Sequence, residues 1–271
     1  MLVPSLAGCL LALAITVPLA WKWELGVRRV ALATVALALV STLVVAALDP
    51  SDVMRAGLVC ALTLAAAFGI LAYRFYRDPE RSVPEAVGDV VISPADGEVI
   101  YVRRSEGGLL PSSTKKGRDY ELVELTKTPL RNGDAYVIGI AMSFLDVHVN
   151  RAPIAGRVQL RKHFPGRFGS LGMPEMVYEN ERATTIIERG DLEIAVVQIA
   201  SRLVRQIAAY VKVGEDVALG QRIGVIRLGS QVDVVLPIRP GVQINVREGQ
   251  RVWAGQSVLA LLDGDGTSPV S

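Results

Sequence analysis

The sequence predicts a mainly β fold preceded by N-terminal transmembrane helices. Three observations point there. Residues 5–21, 30–48 and 57–73 are apolar and carry no charge. From Asp89 onward the pattern changes to short β-type runs punctuated by Gly, Pro and Asp. Near the C-terminus the pattern Gly-x-x-Val-x-x-Gly-Gln occurs twice, over Gly214–Gln221 and Gly249–Gln256.

The apolar stretches lie at the short end of the roughly 17–25 residues that a membrane-spanning helix needs. A cleaved signal peptide is the competing reading for the first of them. It lacks a positive leading region, and two more apolar stretches follow it. Lys22, Arg28 and Arg29 separate the first stretch from the second, and Arg74, Arg77 and Arg81 follow the third. Three spans put both basic clusters on one side, and basic flanks stay inside. The large C-terminal part is therefore expected on the cytoplasmic face of the cell (inner) membrane. Trp21, Trp23, Tyr73, Phe75 and Tyr76 stand where interfacial aromatics belong. Tyr73–Arg81 reads as a juxtamembrane anchor. Pro79 and Pro84 end any helix there, so residues 1–78 form the anchor and 79–271 the cytoplasmic domain.

Within that domain, Val90–Ile92 and Gly97–Val102 flank a Pro94-Ala95-Asp96-Gly97 turn. Residues 104–119 are polar and loop-like. Tyr136–Met142 reads as a buried strand, followed by strand runs at 155–161, 184–188, 192–199, 222–228, 232–236 and 242–246. The spacing of Leu203, Ile207 and Tyr210 suits a strand better than a short helix. Each Gly-x-x-Val-x-x-Gly-Gln copy reads as a tight turn between two short strands. Paired hairpins of this kind suggest a β-sandwich or barrel-like domain with biotinyl/lipoyl-like hairpins. Ser230 falls between the two copies, inside the expected β core.

Composition closes off several function classes. A net charge of +2 and the lack of a long Lys/Arg run argue against nucleic acid. Cys9 and Cys60 both sit in apolar stretches, as inert small hydrophobes. With two Cys and two His in all, a Cys/His zinc site is not expected, nor any other metal. For proton transfer near neutrality the chain offers His148 and His163. Asp96 is by default a turn residue, but a carboxylate can also orient an imidazole in a carboxylate–imidazole–hydroxyl relay. The Gly229-Ser230 pair taken alone reads as a strand bulge. Nothing in the residues themselves requires Asp96, His148 and Ser230 to meet.

Five segments in order nevertheless resemble the phosphatidylserine decarboxylases, in the short form that includes archaetidylserine decarboxylases. They are Phe75–Arg81, Ser93-Pro94-Ala95-Asp96-Gly97, Asp146-Val147-His148-Val149-Asn150-Arg151-Ala152-Pro153, Glu179-Asn180-Glu181-Arg182 and Leu228-Gly229-Ser230. The resemblance runs from about Tyr73 to the C-terminus. It implies a self-made pyruvoyl cofactor, with neither pyridoxal phosphate nor metal. Ser230 Oγ attacks the Gly229 carbonyl, β-elimination releases Gly229 as a new C-terminus, and the dehydroalanine left at 230 hydrolyses to the pyruvoyl group. The fragments 1–229 and 230–271 stay together as a heterodimer, with a homo-oligomer left open. The pyruvoyl carbonyl then forms a Schiff base with phosphatidylserine in the membrane and acts as the electron sink for loss of CO2.

A serine hydroxyl needs a base to act as nucleophile. The resemblance casts His148 in that role, held by Asp96. His148 is also the expected acid for protonating the product, ahead of His163. Asn150 and Arg151 are the substrate-binding candidates, with Arg suited to a carboxylate or phosphate. Lys115, Lys116 and Arg118 lie in a loop that can meet anionic headgroups. The family commonly has Thr after the Gly-Ser pair, where this chain has Gln231. Gly169-Ser170 is a second Gly-Ser pair, in a Gly- and Pro-rich stretch that reads as a loop.

Two other readings compete. A metallopeptidase of the β-hairpin type needs His-x-His, and His148-Val149-Asn150 lacks one ligand. A membrane-tethered biotinyl/lipoyl-like scaffold or carrier without catalysis fits the repeat, but neither turn tip carries the lysine that a carrier needs.

Overall fold

In the computed structural model, the described residues are all except 1, 24, 86–88, 111–119, 132, 172, 174, 202–206, 228–229 and 263–271. The chain divides into two compact units, Met1–Arg77 and Asp78–Ser271.

The first unit is three helices, α1 (Leu2–Lys22), α2 (Val27–Ala46) and α3 (Asp52–Tyr76). Each is long and apolar enough to cross a membrane. Small and hydroxyl residues make the close contacts between them. A Cβ on Gly8 of α1 would lie 2.6 Å from the Ala56 carbonyl of α3. Thr16 and Thr34 hydroxyls share a 3.0 Å hydrogen bond, and Thr63 donates to Ser41 at 3.2 Å. Small residues that let backbones approach, with hydroxyls bonding across, are how helices associate where no hydrophobic force separates protein from lipid.

The second unit is mainly β. In order it contains β1 (Asp89–Ile92), β2 (Gly97–Arg104), β3 (Leu109–Leu110), β4 (Tyr120–Glu121), α4 (Leu122–Thr126), β5 (Ala135–Met142), β6 (Val149–Arg151), β7 (Gly156–Phe164), α5 (Met176–Glu179), β8 (Arg182–Arg189), β9 (Leu192–Ile199), β10 (Ile207–Ala209), β11 (Asp216–Val217), β12 (Arg222–Ile226), β13 (Ser230–Pro237), β14 (Val242–Ile244), β15 (Arg251–Val252) and β16 (Val258–Leu262). Eight of these form a curled antiparallel half-barrel in the order β11-β7-β8-β9-β13-β5-β2-β15. Two three-stranded sheets, β1-β16-β14 and β10-β12-β6, accompany it.

The strand order explains the sequence repeat. The strands that flank each Gly-x-x-Val-x-x-Gly-Gln copy pair with each other, β10 with β12 and β14 with β16. β11 pairs with β7 and β12 with β6 and β10, while β15 pairs with β2 and β16 with β1 and β14. Each copy is thus the connection between two paired antiparallel strands, and its middle strand, β11 or β15, crosses over to the edge of the eight-stranded sheet. Gly214, Gly220, Gly249 and Gly255 all take positive φ, as the tight turns of each copy require.

The repeat is the visible part of a larger duplication. Val99 N–H donates to Gln250 and accepts Gly249 N–H on its carbonyl, as Val158 does with Glu215 and Gly214. Gly97 and Gly156 open equivalent strands, β2 and β7. The two Pro corners exchange hydrogen bonds reciprocally, Ile92 N–H to Pro153 O and Arg151 N–H to Pro94 O, both at 2.9 Å. The eight-stranded sheet is accordingly symmetric about its β9–β13 centre.

At that centre β13 is buried along its whole length and pairs with β5 on one side and β9 on the other. Period-2 alternation sends Val232, Val234 and Leu236 into one core, with Ile138, Ile140 and Val91. Val235 faces a second core, with Val137, Val197 and Ile199.

Candidate functional site

Ser230 is the first residue of β13 and is buried. It pairs with Met142, the last residue of β5, and its Oγ lies 3.4 Å from the Met142 sulfur. Gly229 and Leu228, on the other side of the proposed scissile bond, lie outside the described residues.

The turn after β5 gathers the rest of the site. Asp146 folds back to accept the Ser143 N–H at 2.7 Å, closing the turn, and is paired with Arg251. Val147 N–H reaches an Asp96 oxygen at 3.4 Å. His148, buried, accepts the Ile226 N–H on its carbonyl at 3.1 Å. Ile226 ends β12, four residues before Ser230. The seven residues Met142–His148 therefore touch Ser230, Asp96 and the chain leading into Ser230. Sequence separation hid this juxtaposition, because β13, β5 and the Pro94 corner meet only through sheet pairing.

Asp96 sits at the Pro94 corner, 3% exposed. A bidentate ion pair joins it to Arg81, and Ala254 N–H donates to it at 2.8 Å. Its described hydrogen bonds thus orient backbone and charge around His148. The sequence reading placed Arg81 only in a juxtamembrane anchor. Its signal was present in the Phe75–Arg81 match, but the partner could not be read there.

Asn150 and Arg151 turn their polar ends into the protein. Asn150 donates to Pro94 O at 3.3 Å and accepts from Gln198 at 2.7 Å. Arg151, 5% exposed, donates to Gly220 O, Pro79 O and Asp78 at 3.0, 3.0 and 3.5 Å. Burial, more than its charged neighbours, pulls the Arg151 pKa down. His163 lies on β7, well exposed, 2.9 Å from Glu181. Ser170 is exposed in a loop, while Gly169 is pinned by Asn180 through 2.8 and 2.9 Å hydrogen bonds. Lys115, Lys116 and Arg118 lie outside the described residues.

The Glu179–Arg182 match is structural. Arg182, fully buried, donates to the carbonyls of Leu125, Val177 and Asn180 at 2.8, 2.8 and 3.0 Å. These close the ends of α4 and α5, where a cation is favoured. Desolvation lowers its pKa to about 10.

On the face of β13 opposite Ser230 lies a polar group that the sequence reading did not single out. Gln231 donates to Tyr101 Oη and to Asp233, both at 2.7 Å, and Tyr101 donates to Asp233 at 2.7 Å. Burial raises the Asp233 pKa to about 6, against the opposing pull of its hydrogen bonds. Gln231 replaces the expected Thr with a side chain that reaches both partners.

Among the described residues no group of His, Cys, Asp and Glu is arranged to hold a metal ion. Ser230 itself fits the role of a cofactor source. It is small, buried, and held on a strand bonded on both sides, so a cut before it leaves β13 in place.

Fold and site together define a class: a protein with membrane-spanning-type helices and a mainly antiparallel domain that buries Ser230, His148 and an Arg-paired Asp96. The profile of the phosphatidylserine decarboxylase family matches residues 68–260. A protein of Methanocaldococcus jannaschii, named for an archaetidylserine decarboxylase proenzyme, is 43% identical over 187 residues, covering 69% of this chain and 87% of that one. The phosphatidylserine decarboxylase proenzyme of Erythrobacter litoralis is 42% identical over 197 residues, 72% of this chain and 73% of its own. That of Ralstonia nicotianae is 38% identical over 197 residues, covering 72% and 80%. The chain belongs to the phosphatidylserine decarboxylase family.

Proposed function

We propose that the protein is a self-processing decarboxylase of a serine phospholipid, phosphatidylserine, giving phosphatidylethanolamine. The observation that carries this is the position of Ser230. It opens a central, fully buried strand beside the Met142–His148 turn, within a chain whose family relatives are named proenzymes.

Ser230 Oγ attacks the Gly229 carbonyl carbon while His148 takes the hydroxyl proton. The peptide C–N bond breaks as the ester C–O bond forms. Removal of the Ser230 Cα proton then expels Gly229 as a carboxylate. The dehydroalanine left at 230 tautomerises to an imine, which water hydrolyses to the pyruvoyl ketone with release of ammonia, and that group supplies a carbonyl electron sink for decarboxylation of an α-amino acid headgroup. His148, whose carbonyl accepts the Ile226 N–H at the end of β12, is assigned as base and as proton donor to the product. Asp96 positions the Val147–His148 backbone.

Asn150 and Arg151 are assigned to shaping the site instead of gripping lipid, since their polar atoms are engaged within the protein. Residues 1–78 anchor the chain and 79–271 act at the cytoplasmic face, consistent with the basic flanks of the spans. The fragments 1–229 and 230–271 remain joined through the β13 pairings with β5 and β9. The two crossover turns with their Pro corners are read as biotinyl/lipoyl-like modules. Their resemblance to a carrier is architectural, and the catalytic reading is favoured.

A denaturing gel with mass spectrometry tests this. Wild-type protein should run as two chains with a ketone at residue 230 and release CO2 from serine phospholipid. Ser230→Ala should stay a single inactive chain. An intact wild-type chain with a free Ser230 hydroxyl overturns the proposal.

A further inference from the structure

The segment just after α3 bonds to two candidate site residues, Arg151 and Asp96, and to Arg222 outside the site. Asp78 meets Arg151 and Arg222, Pro79 O accepts from Arg151, and Glu80 pairs with Arg222 at 2.7 Å. Arg81 goes further in. Its side chain is 8% exposed, and it holds both oxygens of Asp96, whose side chain is 4% exposed. It also donates to Ala254 O at 2.8 Å, while Ala254 N–H donates to the same carboxylate. The Arg81–Asp96 pair thus grips residue 254, in the second crossover turn, from both its N–H and its C=O.

A carboxylate this deeply buried requires a compensating charge and full hydrogen bonding. Planar guanidinium geometry matches both oxygens at once and fixes the carboxylate plane. The far side of that carboxylate meets the Val147 N–H, one residue before His148. The same turn is held at Asp146 by Arg251 and by the Ser143 N–H. Arg251 is half-exposed, so the buried restraint on this turn comes through Asp96.

We infer that Arg81 is a positioning residue for self-cleavage: it fixes Asp96, and through Asp96 and Val147 it sets the placement of His148 for its role in processing at Ser230. The chain emerging from the membrane helices is then part of the processing site, and removing it costs the reaction as well as the anchor. This rests on the proposed self-processing, and the experiment separates the two.

The full chain is synthesised in a cell-free system with phospholipid vesicles, and conversion of the precursor to fragments is followed over time on denaturing gels. Wild-type chain that never converts overturns the proposed function, whatever Arg81 does. Given conversion, Arg81→Ala should slow it about 100-fold, the scale expected for misplacing a reacting group by an ångström. Arg81→Lys, which keeps the charge but not the bidentate fork, should recover about a tenth of the wild-type rate. Guanidinium ion below denaturing concentration should speed Arg81→Ala but not Arg81→Ala combined with Asp96→Asn.

Arg222→Ala loosens the same segment at a partly exposed ion pair and should stay within about two-fold of wild type. Equal slowing by Arg81→Ala and Arg222→Ala overturns the inference, as does wild-type conversion of Arg81→Ala. Should Arg81→Ala be degraded, Arg81→Lys is compared with Arg222→Ala. An Arg81→Lys no slower than Arg222→Ala then overturns it too.

Discussion

The two Pro corners of the β unit are built alike and used differently. Ser93-Pro94-Ala95-Asp96-Gly97 and Ala152-Pro153-Ile154-Ala155-Gly156 each lead into a long strand, β2 or β7. They donate to each other's proline carbonyls, and each receives a crossover turn, Gly255 N–H on Ser93 O and Gly220 N–H on Ala152 O. At the position before the glycine the first has Asp96 and the second Ala155. At the first corner Arg81 reaches in from outside the repeat to hold Asp96, and Asp96 accepts the Val147 N–H next to His148. A duplicated scaffold can thus hold one site, because a single carboxylate breaks the symmetry. Shared features of the two corners concern stability, and unshared ones concern chemistry.

The strongest way to break this comparison is Asp96→Ala. It strands buried Arg81 and unties Val147 and Ala254, so unfolding stability should fall by about 3–5 kcal/mol, with no fragments on a denaturing gel. Full processing by this variant would make the first corner as structural as the second.

Next, Gly97→Ala and Gly156→Ala probe what the corners share. An added Cβ would meet Ala141 O at 2.3 Å in one and Glu188 O at 2.4 Å in the other. Both contacts are with backbone that cannot step aside, so each should cost about 3 kcal/mol in chemical denaturation. Equal losses support equivalence, and losses differing by more than about 1 kcal/mol count against it.

The third test concerns polar burial away from the corners. Asp233 has a folded pKa raised to about 6, against roughly 3.9 unfolded. Between those values the folded state binds more protons than the unfolded one. Stability contributed by this group is therefore present in full near pH 4, falls as pH rises to 6, and is flat above. The fall is at most about 3 kcal/mol. Asp233→Asn should flatten this slope in urea unfolding measured across pH 4–7. An unchanged slope would assign it to other groups.

The smallest effect should come from Ala155→Asp, which copies the carboxylate onto the second corner. Ala155 is only partly buried, so solvation limits the cost to about 1 kcal/mol, and processing should proceed at the wild-type rate. Loss of processing would show the corners to be coupled beyond their shared hydrogen bonds.

Much of this molecule can be read from local pattern. The three uncharged stretches become α1, α2 and α3, and the 192–199 run becomes β9 residue for residue. The glycines of both repeat copies adopt the positive φ that their turn chemistry implies. These features follow from periodicity and from single-residue conformational preference, which act over a few residues. The candidate residues Ser230, His148 and Asp96 were available as residue types and through family resemblance. Partnerships were not. Arg81 with Asp96, Met142 with Ser230, Gln231 and Tyr101 with Asp233, and Arg151 with Asp78 and Gly220 join positions from distant parts of the chain.

The crossovers show the same division. Composition determined that Gly214–Gln221 and Gly249–Gln256 turn sharply, and that strands flank them. Only the tertiary structure decided that the middle strand of each copy, β11 or β15, leaves its paired flanking strands to join an edge of the eight-stranded sheet. A strand's hydrogen bonds go to whichever edge the packing of apolar faces presents, and that choice is made by the whole core at once. The same holds for the site: sequence supplied the hydroxyl, the imidazole and the carboxylate, and sheet pairing brought a single turn, Met142–His148, against all three of their neighbourhoods.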